Sequence, residues 1–204
     1  LGIGLGVWVI AGSLAELAFR ARIGSVSASQ SLHRLKGLPR SAWGGALAHT
    51  GAGIMTIGIV GITAYQTEMV LVMKAGEKVE IAGYTLTFKG VAPQRGPNYR
   101  EDVGVIDVTR AGRQVIELNP AKRLYDAPRQ ATTEAGILAS WRGDLYSVLG
   151  DAQNDGGYVV RLYFNPLVRL IWIGALVMFL GGFLSLTDRR LRVGAPQRAR
   201  GRNV

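Results

Sequence analysis

Three apolar stretches divide the chain. Leu1 to Phe19 is apolar except for Ser13 and Glu16. Ser41 to Tyr65 contains no Asp, Glu, Lys or Arg and one His, and Pro166 to Leu186 carries only Arg169. Each is about 20 residues long, the length at which a helix crosses ~30 Å of hydrocarbon. The pattern predicts transmembrane helices over 1–19, 41–65 and 166–186. Polar segments over 20–40 and 66–165 separate them, and 187–204 closes the chain.

In the segment 66–165 the period shortens to that of strands. Met69 to Met73 is an apolar run, broken at Ala75-Gly76 and resumed from Lys78 to Ile81. Tyr84, Leu86 and Phe88 then alternate with Thr85, Thr87 and Lys89, as in a half-buried strand. Val103 to Thr109 forms another, Ala111-Gly112-Arg113 reads as a hairpin turn into Gln114 to Leu118, and Tyr158 to Tyr163 leads into the last span. Thr132 to Ala139 fits either strand or helix. The fold class is membrane α + β: about three transmembrane helices, with a β-rich domain, a small barrel or sandwich, inserted between the second and third.

Charge sharpens this picture. The 204 residues carry a formal net charge of +10, which taken alone suggests a nucleic-acid binder. Segment 20–40, however, holds five basic residues and no acid, segment 66–165 holds twelve of each sign, and 187–204 holds six Arg and Asp188. The excess flanks the spans, as the positive-inside rule describes. It places 20–40 and 187–204 in the cytoplasm and 66–165 in the periplasm of a Gram-negative host, with lipid rather than nucleic acid as the partner. No charged segment precedes the apolar run at Leu1, so it does not read as a signal peptide. The chain reads as the C-terminal piece of a longer polytopic protein.

Candidate chemistry is sparse. The chain has no Cys and two His, which excludes thiol nucleophiles and Cys-ligated zinc. The β-rich segment has no His, which excludes a Ser-His-Asp triad or a His-ligated metal within it. His33 lies in the basic segment and reads as a surface residue near headgroups. Glu16 and Arg169 lie near span ends, where side chains snorkel. His49 is different, because a titratable residue inside a span is costly and is a functional candidate. Its helical neighbours Gly45, Ala46, Ala52 and Gly53 are all small. They suit three readings: axial ligation of haem iron beside a flat open face, close helix packing with a hydrogen bond to a neighbour, or a proton relay.

Four stretches together carry a family likeness: Gly44-Gly45-Ala46-Leu47-Ala48-His49-Thr50-Gly51, the run from Tyr125 to Ala135 (YDAPRQATTEA), the run from Gly143 to Gly150 (GDLYSVLG), and the run from Tyr163 to Trp172 (YFNPLVRLIW). In order and spacing the chain resembles the C-terminal third of the CcmF family, bacterial cytochrome c-type biogenesis proteins that are haem lyase subunits. The resemblance implies a multi-pass protein of the bacterial inner membrane with its large loop in the periplasm. It implies work with a haem chaperone and other cytochrome c maturation subunits in attaching haem to apocytochrome c. It also implies a haem b reduced by quinol, with His49 as one axial ligand and the second in the missing upstream part. The stretch in hand is then not catalytic by itself. The competing readings are a membrane-anchored assembly scaffold whose β-domain binds partner proteins, and a transporter half with His49 in a proton path.

Overall fold

The computed structural model describes residues 1–188. All of the basic tail except Thr187 and Asp188 lies outside the described residues. The chain forms two compact units, 1–60 with 169 onward, and 61–168.

The first unit contains helices α1 (Gly2–Ala21), α2 (Ala28–Gly37) and α4 (Arg169–Leu186) and most of α3 (Arg40–Tyr65). Among the described residues, α1, α3 and α4 are the three helices long and apolar enough to cross a membrane. α1 ends where Arg22 turns left-handed at φ 55°. There the Ile23 N–H reaches the Ala18 carbonyl, a helix stop that satisfies the last carbonyls. The segment 20–40, read from sequence simply as a loop, contains α2. It starts at Ser27, whose hydroxyl accepts the Gln30 N–H, an N-cap strong enough to start a short helix.

Glycines bring the long helices together. Gly44, Gly51 and Gly58 recur every seven residues along α3. A Cβ at Gly44 would lie 2.5 Å from the Gly181 carbonyl oxygen of α4, and one at Gly51 would lie 2.6 Å from the Gly174 carbonyl oxygen. The pairs run in opposite directions, so α3 and α4 are antiparallel. On another face of α3, a Cβ at Gly53 would lie 2.6 Å from the Gly6 oxygen of α1, and Ser13 and Thr50 share a 2.8 Å hydrogen bond. This is small-residue packing of the kind that joins helices in lipid, where close approach replaces the hydrophobic drive. At the other end Asp188 accepts the Ser41 N–H at 3.0 Å, a carboxylate at the positive end of α3. The start of α3 and the last described residue, Asp188, therefore lie at the same end of the bundle.

These contacts make a test. Gly51→Val should destabilise the helical unit by about 1–3 kcal/mol, because the blocking atoms are backbone and cannot rotate away. Thermal unfolding of the detergent-solubilised protein measures it, with Gly12→Ala as control, since nothing lies within 4 Å of a Cβ there. Equal midpoints for the two variants would refute the packing role.

The second unit is a sandwich of two antiparallel sheets rather than a barrel. Its strands are β1 (Thr67–Met73), β2 (Lys78–Ile81), β3 (Tyr84–Arg95), β4 (Tyr99–Arg110), β5 (Arg113–Leu118), β6 (Ala121–Tyr125), β7 (Ala131–Glu134), β8 (Gly136–Leu138), β9 (Gly143–Ala152) and β10 (Tyr158–Pro166). One sheet has the order β1-β10-β9-β8, the other β2-β3-β4-β6-β7, with β5 also paired to β4. Ala82-Gly83 and Ala111-Gly112 have positive φ at both central positions, the turn whose twist suits a two-residue hairpin. Between the sheets lie Met73, Leu86, Phe88, Ile106, Val108, Leu145, Leu149, Val160 and Leu162, all buried.

Strands β6 to β9 extend the sequence reading. Thr132 to Ala139, left open between strand and helix, lies in β7 and β8 and the residue after them. β9 escaped detection because its inward positions are Leu145, Ser147 and Leu149, and the serine interrupts the apolar alternation. Ser147 is fully buried, and its hydroxyl donates to the Gly136 carbonyl at 3.3 Å, which offsets the cost of placing it in a core. β10 runs on through Pro166, and α4 starts only at Arg169 after Leu167 turns left-handed at φ 59°. The last helix is thus shorter at its start than the apolar run suggested.

Candidate functional site

His49 sits in α3 about two turns inside its Arg40 end, with its side chain exposed. Its Nδ1 lies 2.8 Å from the Gly45 carbonyl oxygen one turn back. A carbonyl only accepts, so Nδ1 is the donor and is engaged by this contact, while Nε2 is not. The contact fixes the tautomer and ring orientation that a metal-binding imidazole needs.

The small residues around His49 divide between two tasks. Gly53 is consumed by packing against Gly6 and Ile10 of α1, whereas nothing lies within 4 Å of a Cβ at Gly45. The open side therefore extends from His49 toward the start of α3. There a cleft of about 210 Å³ is lined by Glu16 and Arg20 of α1 and by Pro39, Ser41, Ala42, Gly45, Ala46 and His49. That is below the ~300–1,000 Å³ of a typical small-molecule site. The donor set suits haem: an imidazole whose Nδ1 is already engaged, small residues at Gly45 and Ala46 beside it, and the Arg20 guanidinium paired with Glu16 at one end.

Sequence reasoning placed Glu16 at a span end but missed its partner. Arg20 Nε and Nη2 both donate to Glu16 Oε1, at 3.0 and 2.5 Å. Their spacing of four residues is the signal that could have found the pair; their position beside His49 depends on how α1 packs on α3. His33 is exposed on α2. Arg169 is the first residue of α4.

The sandwich has a separate cleft of about 940 Å³, lined in part by Arg95, Arg100, Asp102, Lys122, Asp151 and Tyr158. Lys122 of β6 pairs with Asp151 of β9, linking the two sheets across it. The ammonium group beside Asp151 holds that carboxyl below its ordinary range. Arg123 donates to Glu101 at 3.0 Å and to Glu134 at 3.1 Å and lies 4.1 Å from the centroid of the Tyr99 ring. Its hydrogen bonds, to Tyr125 first and then Glu101, raise its pKa further above an already high value. Outside this cleft, Lys74 and Asp155 form a 3.0 Å ion pair. The hydrogen bond between them raises the lysine pKa and, with the Gly157 N–H, lowers that of the carboxylate. Of these, the Arg123 pairs join β6 to its neighbours β4 and β7, Lys122–Asp151 bridges the two sheets, and Lys74–Asp155 ties two connections together.

Known proteins share this arrangement. Residues 64–166 match the family model described as the CcmF C-terminal beta-sandwich. The chain is 54% identical over 199 residues to the cytochrome c-type biogenesis protein CycK of Rhizobium meliloti, covering 98% of this chain and 29% of that protein. It is 40% identical over 196 residues to the cytochrome c-type biogenesis protein CcmF of Pseudomonas aeruginosa, covering 96% and 29%. Among solved structures, Cytochrome c Heme Lyase CcmF aligns with a TM-score of 0.67 at 20% identity, over 92% of this chain and 31% of that one. The chain thus spans less than a third of the length of the relatives it matches.

Proposed function

From the premise that the chain belongs to the CcmF family of cytochrome c-type biogenesis proteins, we propose that it is part of an inner-membrane haem lyase in which His49 is an axial ligand of haem b. The observation that carries the reading is the Nδ1 contact with the Gly45 carbonyl. It engages Nδ1 and leaves Nε2 as the ring nitrogen available to a metal, on an apolar helix beside a cleft of about 210 Å³. Bound there, haem b supplies one-electron transfer, and quinol is the electron source in this reading. The chain's own residues do the rest: Gly45 orients the imidazole, and the absence of a side chain at Gly45 leaves space beside it. Gly53 and Thr50 hold α3 against α1. The second axial ligand comes from outside these 204 residues.

The β-sandwich works on the periplasmic side in this proposal, α1, α3 and α4 span the membrane, and the two basic segments stay in the cytoplasm. A haem chaperone, other maturation subunits and apocytochrome c are its partners. The 940 Å³ cleft with its charged walls favours a second reading for this unit alone, as a surface that docks those partners.

The test is spectroscopic. The purified full-length parent should show a b-type α-band in its reduced-minus-oxidised spectrum. A protein that binds no haem would defeat the cofactor reading and favour the scaffold. Topology has its own measurement: single cysteines at Gly112 and Gly194 should react with impermeant reagent from opposite sides of the membrane. Reaction from one side alone would overturn the assigned orientation.

A further inference from the structure

Arg20 has capacity that its ion pair does not use. Its Nε and Nη2 donate to one oxygen of Glu16, and a guanidinium has five N–H donors in a fixed fork. The side chain lines the same cleft as His49 and is 46% exposed. The helix register gives the separation. α1 and α3 are antiparallel, with Gly6 on Gly53 and Ser13 on Thr50. Two turns beyond Ser13, Arg20 falls beside Ala42. That lies about two turns, or ~10 Å, from His49 along α3.

Between them along α3 the cleft is lined by Ala42, Gly45 and Ala46, all small and uncharged. A ligand lying there has its centre at the imidazole, its apolar body on small residues and its far edge at a guanidinium. Haem has that layout, with iron at its centre and two carboxylate arms on one edge. A carboxylate at the margin of hydrocarbon is costly unless a cation and hydrogen bonds meet it.

We propose that Arg20 binds a propionate carboxylate of the haem ligated by His49, which makes it a positioning residue for the cofactor; this rests on the haem reading above. Glu16 holds the guanidinium at the cleft wall and cancels part of its charge.

The experiment uses the full-length parent and the variants Arg20→Gln, Arg20→Lys and Glu16→Gln. It reads two quantities, the haem midpoint potential and the rate of haem loss to excess apomyoglobin. Losing the cation in Arg20→Gln should lower the midpoint, since the ferric state carries the extra positive charge, and speed haem loss by about tenfold, the value of a charge-assisted hydrogen bond. Arg20→Lys keeps the charge and should hold the midpoint near that of the parent. Glu16→Gln removes a negative charge and should raise it.

An ion pair that acts on the haem only through space also gives shifts of opposite sign but leaves the rate of haem loss unchanged; unchanged haem loss in Arg20→Gln, or midpoint shifts of one sign or none, overturns the proposal. If Arg20→Gln does not accumulate, the comparison of Arg20→Lys with Glu16→Gln decides, because equal midpoints there also refute it. Failure of the Arg20 assignment leaves the His49 spectrum intact. A haem signal that survives His49→Ala removes the reading beneath it.

Discussion

In the full-length parent, His49→Ala should abolish the b-type α-band or cut haem content by more than about tenfold. Altering even the partner of a ligating histidine typically costs 10- to 100-fold in metal affinity, and this substitution removes the proposed ligand. The fold should be spared. His49 is exposed in α3, its hydrogen bond is to a carbonyl of its own helix, and alanine is the best helix former. A loss of haem with unchanged thermal stability would therefore report ligation. Added imidazole should restore part of the band, because the variant leaves a space of that shape beside Gly45. His33→Ala, on exposed α2, should leave the spectrum unchanged. An unaltered band in His49→Ala would remove His49 from the site and return it to helix packing or proton relay.

A second large effect belongs to the sandwich. Phe88→Ala should destabilise the β-unit by about 3–5 kcal/mol, the usual cost of removing a buried aromatic ring. Phe88 is 1% exposed, with core residues of both sheets around it, and its ring lies 6.2 Å from that of Tyr158. Domains of this size are stable by only about 5–15 kcal/mol, so the variant loses a large share of the total. Urea titration followed by limited proteolysis within 61–168 measures it. Val115→Ala, on a 45% exposed position of β5, is the comparison and should differ little from the parent. Equal midpoints for the two would mean that the sheets are not held by this core.

Local features were legible wherever one residue type decides the outcome. Ala111-Gly112 declared its hairpin, because a two-residue turn needs positive φ at both positions. Tyr84, Leu86 and Phe88 declared a strand, because every second side chain had to be apolar. β9 did not, because Ser147 occupies an inward position and is satisfied by the Gly136 carbonyl, a partner that only the folded sheet brings close. β6 did not either. Its Lys122 and Arg123 find their partners, Asp151 and Glu101, only in the folded sheets. α2 was hidden by its short length and low apolar content.

The site divides in the same way. That His49 is exceptional could be read directly, since an imidazole within an uncharged span is expensive without a purpose. The seven-residue spacing of Gly44, Gly51 and Gly58 was also present in the sequence. Which small residue serves which task was not, because glycine looks the same whether it admits a neighbouring helix or leaves a space open. By itself, then, the sequence determined the apolar spans, the distribution of charge around them, the β-rich character of the insertion and the candidacy of His49. These follow from hydrophobicity, period and charge, which act along the chain. Only the tertiary structure decided that Gly53 packs while Gly45 stays open, that Nδ1 is spent and Nε2 is not, and that Arg20 shares a cleft with His49. Those depend on distances between residues of different helices or turns, and packing alone fixes such distances.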